Sequence, residues 1–232
     1  MKKPFVLVAC EESGRVTEAF RNNGCIAFSC DVMETSGNNP EWHIVQDVLP
    51  LLNGFCEFDT QTGVHYILPH KWDAIIAFPP CTYLTNASAV RMKVNGQIVE
   101  SRYKKMLEGR NFFLSILNAD SDCLAVENPV PMSICNLPKY DQIIQPWQFG
   151  HNYSKRTCLW LKNLPYLVST KIVTEGITPY VNGGCKDAHG NYRRAQGRKE
   201  RDPIFKSKTF PGVASAMGEQ WGSYLVRKVN NE

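Results

Sequence analysis

The residues with the clearest chemical potential lie in "AFPPCTYLT", positions 77–85, and in "VENPV", positions 126–130. Each stretch closes a short apolar run with proline. Proline lacks an amide hydrogen and fixes its own backbone angle, so Pro79-Pro80 stops a sheet ladder and stiffens the turn that follows. Cys81 is thereby held in one direction at the carboxyl end of a strand, the edge where open α/β sheets bind ligands. A thiol there can act as a nucleophile, because free cysteine is already a few per cent thiolate at neutral pH. It can equally be an ordinary buried cysteine behind a strand terminator. Glu127 stands at the matching place on another strand, next to Asn128. A carboxyl in that position can hold or donate a proton, or simply pair with a lysine or cap a helix.

Three further strand ends carry polar groups. The first apolar run opens into "CEESGR" (10–15), a turn with Gly14 before a helix, which would aim helix amides at a bound group. The second ends at Asp31, where nucleotide-binding α/β folds place an acid for ribose hydroxyls. Asp47, in "HIVQDV", has the same location after a short third run. Taken singly, Asp31 and Asp47 are turn formers. Five such positions in order along one pattern argue for a shared site.

The elements that must position them alternate. "PFVLVAC" (4–10), "CIAFSCD" (25–31), "WDAIIAF" (72–78) and "CLAVENP" (123–129) read as strands. "RVTEAFRNNG" (15–24), closed by Gly24, and "SRYKKMLEGRNFFLSILNA" (101–119) read as helices. This rhythm predicts an α/β fold, a mostly parallel sheet with helices on both faces. Positions 55–70 predict a hairpin with a Thr-Gly turn. "TCLWLKNLP" (157–165) follows, and "PGVASAMGEQWGSYLVRKV" predicts closing helix, with Pro211 near its first turn. The intervening positions 166–208 lack a sustained period. They carry nine Lys or Arg against four acids, an excess of five positive charges where the whole chain has four. The segment after Cys81, with Arg91, Lys93 and Gly96 as a hinge, predicts a mobile loop over the thiol.

Composition narrows the classes. Hydrophobic residues make up 43% and charged residues 21% of 232, an ordinary globular balance. No apolar run reaches membrane-spanning length, and the first one is too short for a signal peptide. The nine cysteines are odd in number, lie mostly in apolar runs and form no CxxC pair. Reduced thiols in a cytoplasmic protein are expected, with no disulfide framework and no metal. Cys185 and His189 have metal-like spacing but only two ligands.

The order of these motifs resembles the cytosine carbon-5 methyltransferase family that uses S-adenosylmethionine, in particular its small phage-type members. The resemblance spans nearly the whole chain and rests most firmly on Pro80-Cys81 and Glu127-Asn128-Pro129. It implies a Rossmann-like class I methyltransferase domain over 1–165 and 209–232, with 166–208 as a minimal target-recognition insert. It implies S-adenosylmethionine held by Cys10, Glu11, Glu12, Gly14, Asp31, Val32, Asp47, Val48, Phe78 and Pro79. Asp31 would take the ribose, Asp47 the adenine amino group, and Glu11 or Glu12 the ammonium. It also implies Cys81 as nucleophile and Glu127 as acid, supported by Pro80, Asn128 and the strand Lys155-Arg156-Thr157. An ungapped reading sets Lys155 and Thr157 where the family has arginines, with Arg156 on the opposite face. Glu12, Arg15 and Thr82 depart from the family's glycines and glutamine. DNA is the implied partner of a monomer, gripped by Arg91, Lys93, Arg193, Arg194, Arg198 and Lys199. Restriction-modification or phage self-protection is the implied setting. Free cytidine nucleotides or RNA as substrate, and a non-catalytic nucleic-acid binder, are the alternatives.

Overall fold

The computed structural model describes residues 2–179, 184–186, 192–194 and 207–231. The elements begin with β1 (Phe5–Ala9), α1 (Arg15–Asn22), β2 (Ile26–Asp31), β3 (His43–Val45), β4 (Cys56–Asp59), β5 (His65–Leu68) and β6 (Ala74–Ala77). Then come β7 (Lys93–Val94), β8 (Gln97–Ile98), α2 (Glu100–Leu117), β9 (Cys123–Pro129), β10 (Gln142–Ile144), β11 (Tyr153–Ser154) and β12 (Thr157–Lys162). After β13 (Thr178–Pro179), β14 (Gly184–Lys186) and β15 (Tyr192–Arg194), the chain closes with α3 (Pro211–Met217) and α4 (Ser223–Asn231).

Seven strands form one sheet in the order β10-β12-β9-β6-β1-β2-β3. All point the same way except β12, which runs antiparallel to both neighbours. The apolar runs are continuous because the sheet is covered on both faces. In β1, Leu7 and Ala9 enter one core with Met106, Phe113 and Ile116 of α2. Val6 and Val8 enter the other with Val16 and Phe20 of α1, Val213 and Met217 of α3 and Leu225 of α4. The expected α/β layering is therefore present, with helix ends within two residues of the expected ones. The hairpin β4-β5 turns at Thr62-Gly63 and packs Phe58 and Leu68 into the α2-side core.

Between α3 and α4 the chain makes one π-helical turn, Gly218–Gly222. A Cβ at Gly218 would lie 2.5 Å from the Ala19 carbonyl, so only glycine lets this turn press against α1. Trp221 of the same turn is buried and donates to the Pro165 carbonyl at 2.8 Å. A clasp joins the two extremities: Lys2 N donates to Asn230 Oδ1 and Asn230 Nδ2 donates to the Lys2 carbonyl, both at 2.9 Å.

The segment after Cys81 is more regular than a mobile loop. It forms a 3-10 turn over Asn86–Arg91 and a tight hairpin, β7-β8. Gly96 (φ 79°) and Asn95 (φ 49°) make the two-residue turn of that hairpin. "NG" between short strands is a hairpin signal, because both turn positions need positive φ. Residues 166–178 run beside 147–153: Leu167 is buried, and Val173 N and Thr178 N donate to the Trp147 and Asn152 carbonyls. No described helix is long and apolar enough to cross a membrane.

Candidate active site

Strand order reverses between β1 and β6, which opens a crevice above their carboxyl ends. β6 delivers Phe78, whose amide still pairs with the Ala9 carbonyl at 2.9 Å, and then the two prolines. Pro79 is buried, Pro80 exposed and Cys81 half-buried. The Cys81 carbonyl accepts the amides of Leu84 (3.0 Å) and Thr85 (3.1 Å), so a tight turn begins at the thiol itself. Asn128, fully buried on β9, donates Nδ2 to the Pro79 carbonyl at 2.9 Å. That bond ties the Glu127 strand to the Cys81 turn.

β12 lies against β9, with Leu159 opposite Glu127. Alternation along the chain brings Lys155 and Thr157 to the face of Glu127. Both line one small pocket with it, together with Ile144, Phe210 and Met217. Arg156 is exposed and acts on Cys158, across the sheet from that pocket. Lys155 is steadied by its backbone amide, which donates to Gln145 Oε1 at 2.9 Å. Burial pushes the carboxyl of Glu127 above its ordinary range, while the Lys155 ammonium and the Thr157 hydroxyl oppose that. Burial also pushes the Cys81 thiol up, the charge of Glu127 adds to it, and Lys155 pulls the other way. Cys81, Glu127 and Lys155 are thus one electrostatic unit. The expectation that Cys81 is a few per cent thiolate, as free cysteine is, needs correction: burial and the charge of Glu127 push the thiol up, and Lys155 offsets only part of that.

On the other side of the crevice, Cys10 sits where the charges of Asp31 and Asp47 both reach it, and burial raises its thiol first. Asp31 Oδ1 accepts the Met33 amide and Asp47 Oδ1 the Leu49 amide, each at 3.0 Å. Among the described residues neither Oδ2 takes part in a hydrogen bond. Val32 is 74% exposed beside Asp31, whereas Val48 is buried in the α2-side core. Phe78 packs partly into the other core.

The turn at Gly14 corrects a second expectation. The α1 amides of Val16 (2.7 Å) and Thr17 (3.1 Å) are taken by the buried Glu11 carboxylate, which also accepts the Thr17 and Ser13 hydroxyls. Glu11 is therefore the cap of α1, and these amides do not face a ligand. Glu12 is buried as well; its Oε1 makes no hydrogen bond and lies 3.5 Å from Lys208 Nζ. A cleft of about 210 Å³ lies on the α1 side, lined by Arg15, Thr35, Asn38, Trp42 and Lys208, and it does not include Asp31 or Asp47.

Arg91 and Lys93 are exposed on the segment after Cys81. Arg198 and Lys199 lie outside the described residues, as does His189, and so do the side chains of Cys185, Arg193 and Arg194. The backbone of Arg193 and Arg194 forms the hairpin strand β15, paired with β14. Sequence reasoning passed over Arg102 and Lys105 of α2, which lie 5.2 and 5.5 Å from the Tyr83 ring, two residues past Cys81. No described group of three His, Cys, Asp or Glu side chains could hold a metal ion.

No family model and no curated protein matches the chain. Among solved structures it is similar to a candidate DNA modification methyltransferase encoded within a prophage of E. coli. The identity is 12% and the TM-score 0.41, over 74% of this chain and 52% of that one. The chain spans about half the length of that protein.

Proposed function

We propose that the protein transfers a methyl group from S-adenosylmethionine to carbon-5 of cytosine in DNA, through a covalent adduct at Cys81. The observation that carries this is geometric: Asn128, next to Glu127, donates to the Pro79 carbonyl two residues before Cys81, and Lys155 and Thr157 line one pocket with Glu127 at the carboxyl edge of the sheet. The strand order, with one reversed strand, supports a Rossmann-like class I methyltransferase domain. The cofactor suits the residues on the other side of the crevice. Asp31 and Asp47 are each anchored through Oδ1, Val32 is an exposed apolar surface, and Glu12 has a buried oxygen without a hydrogen bond. Asp31 would hold the ribose, Asp47 the adenine amino group and Glu12 the ammonium.

Cytosine carbon-5 is a poor nucleophile. Cys81 as thiolate adds to carbon-6, forming a C–S bond and pushing the ring electrons toward carbon-5 and ring nitrogen 3. Glu127, whose carboxyl burial pushes toward the protonated form, donates to nitrogen 3 as charge develops there. Lys155 favours the thiolate and offsets the negative charge that builds up beside it. Asn128 positions the pair through Pro79. S-adenosylmethionine, when bound, supplies an electrophilic methyl group. A base removes the carbon-5 proton, the electrons return, and the C–S bond breaks to restore Cys81. In duplex DNA the base must first leave the stack, at a cost of about a few kcal/mol.

Residues 166–208 are proposed as the insert that grips DNA through its backbone, since basic side chains on phosphates position a protein without specifying sequence. The test is a covalent complex with DNA containing 5-fluorocytosine, in which carbon-5 has no proton to lose. The wild-type protein with S-adenosylmethionine should give a band resistant to denaturant, and Cys81→Ser should give none. A serine variant that methylates cytosine at the wild-type rate would falsify the mechanism. Modification of free nucleotides or RNA in preference to DNA would transfer the chemistry to another substrate.

A further inference from the structure

One short piece of chain, residues 207–210, touches both halves of the proposed site. Lys208 points inward, its side chain only 18% exposed, with Nζ 2.7 Å from Ser36 Oγ and 3.5 Å from Glu12 Oε1. The next carbonyl, of Thr209, accepts the Arg15 guanidinium at 2.8 Å. The carbonyl of Phe210 accepts the amides of Val213 and Ala214 at 2.9 Å each and so starts α3. Ser207, Thr209 and Phe210 meanwhile line the pocket of Glu127. That pocket has about 20 Å³ of free space, room for about one water and not for a pyrimidine ring.

Glu12 explains why Lys208 is held. Its side chain is 8% exposed, its Oε2 meets the Ser36 amide at 3.3 Å, and Lys208 is the cation on Oε1 among the described residues. A carboxylate so far from water needs a positive partner. A lysine can leave and return, being a point charge on a flexible stem. A ligand ammonium arriving at Glu12 replaces one cation by another, so the exchange costs little electrostatically.

We propose that residues 207–210 form a strap in which Lys208 holds Glu12 until the primary ammonium of the cofactor displaces it, and that release of the strap opens the Glu127 pocket to the target base. This rests on the methyltransferase reading above and adds an order to it: cofactor first, base second. It also means that the cofactor's affinity is reduced by the fraction of molecules with the strap closed.

Calorimetric titration of wild-type protein, Lys208→Ala and Lys208→Met tests it, with two ligands. S-adenosylmethionine carries the ammonium; 5′-methylthioadenosine is a related adenosine thioether without the amino-acid part. Both variants should bind S-adenosylmethionine about fivefold more tightly than wild type and 5′-methylthioadenosine equally well. Equal or weaker affinity of the variants for S-adenosylmethionine overturns the strap and leaves the methyltransferase reading standing. Folded wild-type protein that binds neither ligand overturns both. Hydrogen exchange on wild type alone gives an arm independent of any substitution. Amides of 207–214 should exchange faster with S-adenosylmethionine bound than with 5′-methylthioadenosine, and no difference between the two ligands sinks the proposal.

Discussion

Glu11 and Glu127 are both withdrawn from water, and their neighbours give them different tasks. Glu11 gathers four donors from the start of α1, which pull against the upward push of burial. Glu127 has one ammonium and one hydroxyl to set against the same push. A carboxyl of the second kind destabilises the fold as it is forced toward ionisation. Well below pH ~4.3 the folded and unfolded chains both carry a protonated Glu127, and the side chain contributes no pH dependence. As pH rises, the unfolded chain ionises first, so stability falls until pH passes the raised folded value. Glu127→Gln escapes this loss. Its melting temperature should therefore gain on wild type as pH rises above about 4 in scanning calorimetry, and a constant gap would mean that Glu127 ionises alike in both states. The same substitution removes a negative charge near Cys81. Alkylation of Cys81, followed by peptide mass spectrometry, should then shift to lower pH in Glu127→Gln and to higher pH in Lys155→Met. Sequence marked Cys81 and Glu127 as chemical, because proline-closed strand ends put side chains at the ligand edge. It could not show that Glu11 is spent on α1, since that depends on where a carboxylate five residues upstream of the Val16 amide comes to lie.

At the scale of elements, the site depends on strands meeting in register. Asn128 joins β9 to the turn after β6 through one buried bond to the Pro79 carbonyl. Asn128→Ala leaves that carbonyl without its donor and opens a small void, at a cost of about 2–3 kcal/mol in denaturant unfolding. Little or no loss would mean that the Pro79-Pro80 turn is rigid without it. The ends of β2 and β3 carry the proposed cofactor contacts. Asp31→Ala should weaken S-adenosylmethionine binding about tenfold or more by calorimetry, and unchanged affinity would place the ribose elsewhere. The strands themselves were legible because a sheet covered on both faces needs continuous apolar runs, as "PFVLVAC" and "CLAVENP" show. The short hairpin β7-β8 was not, although Asn95-Gly96 announces it. The face of Lys155 hung on a single residue of register, which the pairing of Leu159 with Glu127 fixes.

Across the whole molecule, the sequence carries an excess of positive charge in 166–208 that the rest of the chain lacks. If that insert grips phosphates, DNA affinity should fall steeply with salt, and neutralising Arg193, Arg194 and Arg198 together should lower the logarithmic salt slope by about 3. Filter binding across a salt series measures it, and an unchanged slope would move the grip to other residues. Lys208, counted in the sequence with that positive surface, instead turns inward to Glu12, a contact spanning nearly the whole chain that no local pattern announces. The clasp between Lys2 and Asn230 is of the same long-range kind. It sets residues 2 and 230 side by side, so a linker of a few residues could join one to the other while new ends are cut at Gly63, where an added Cβ would touch nothing. Such a circular permutant would keep every strand neighbour of the seven-stranded sheet while β1 and β2 were synthesised after β6, making the architecture a property of contacts rather than of the order in which its parts are made.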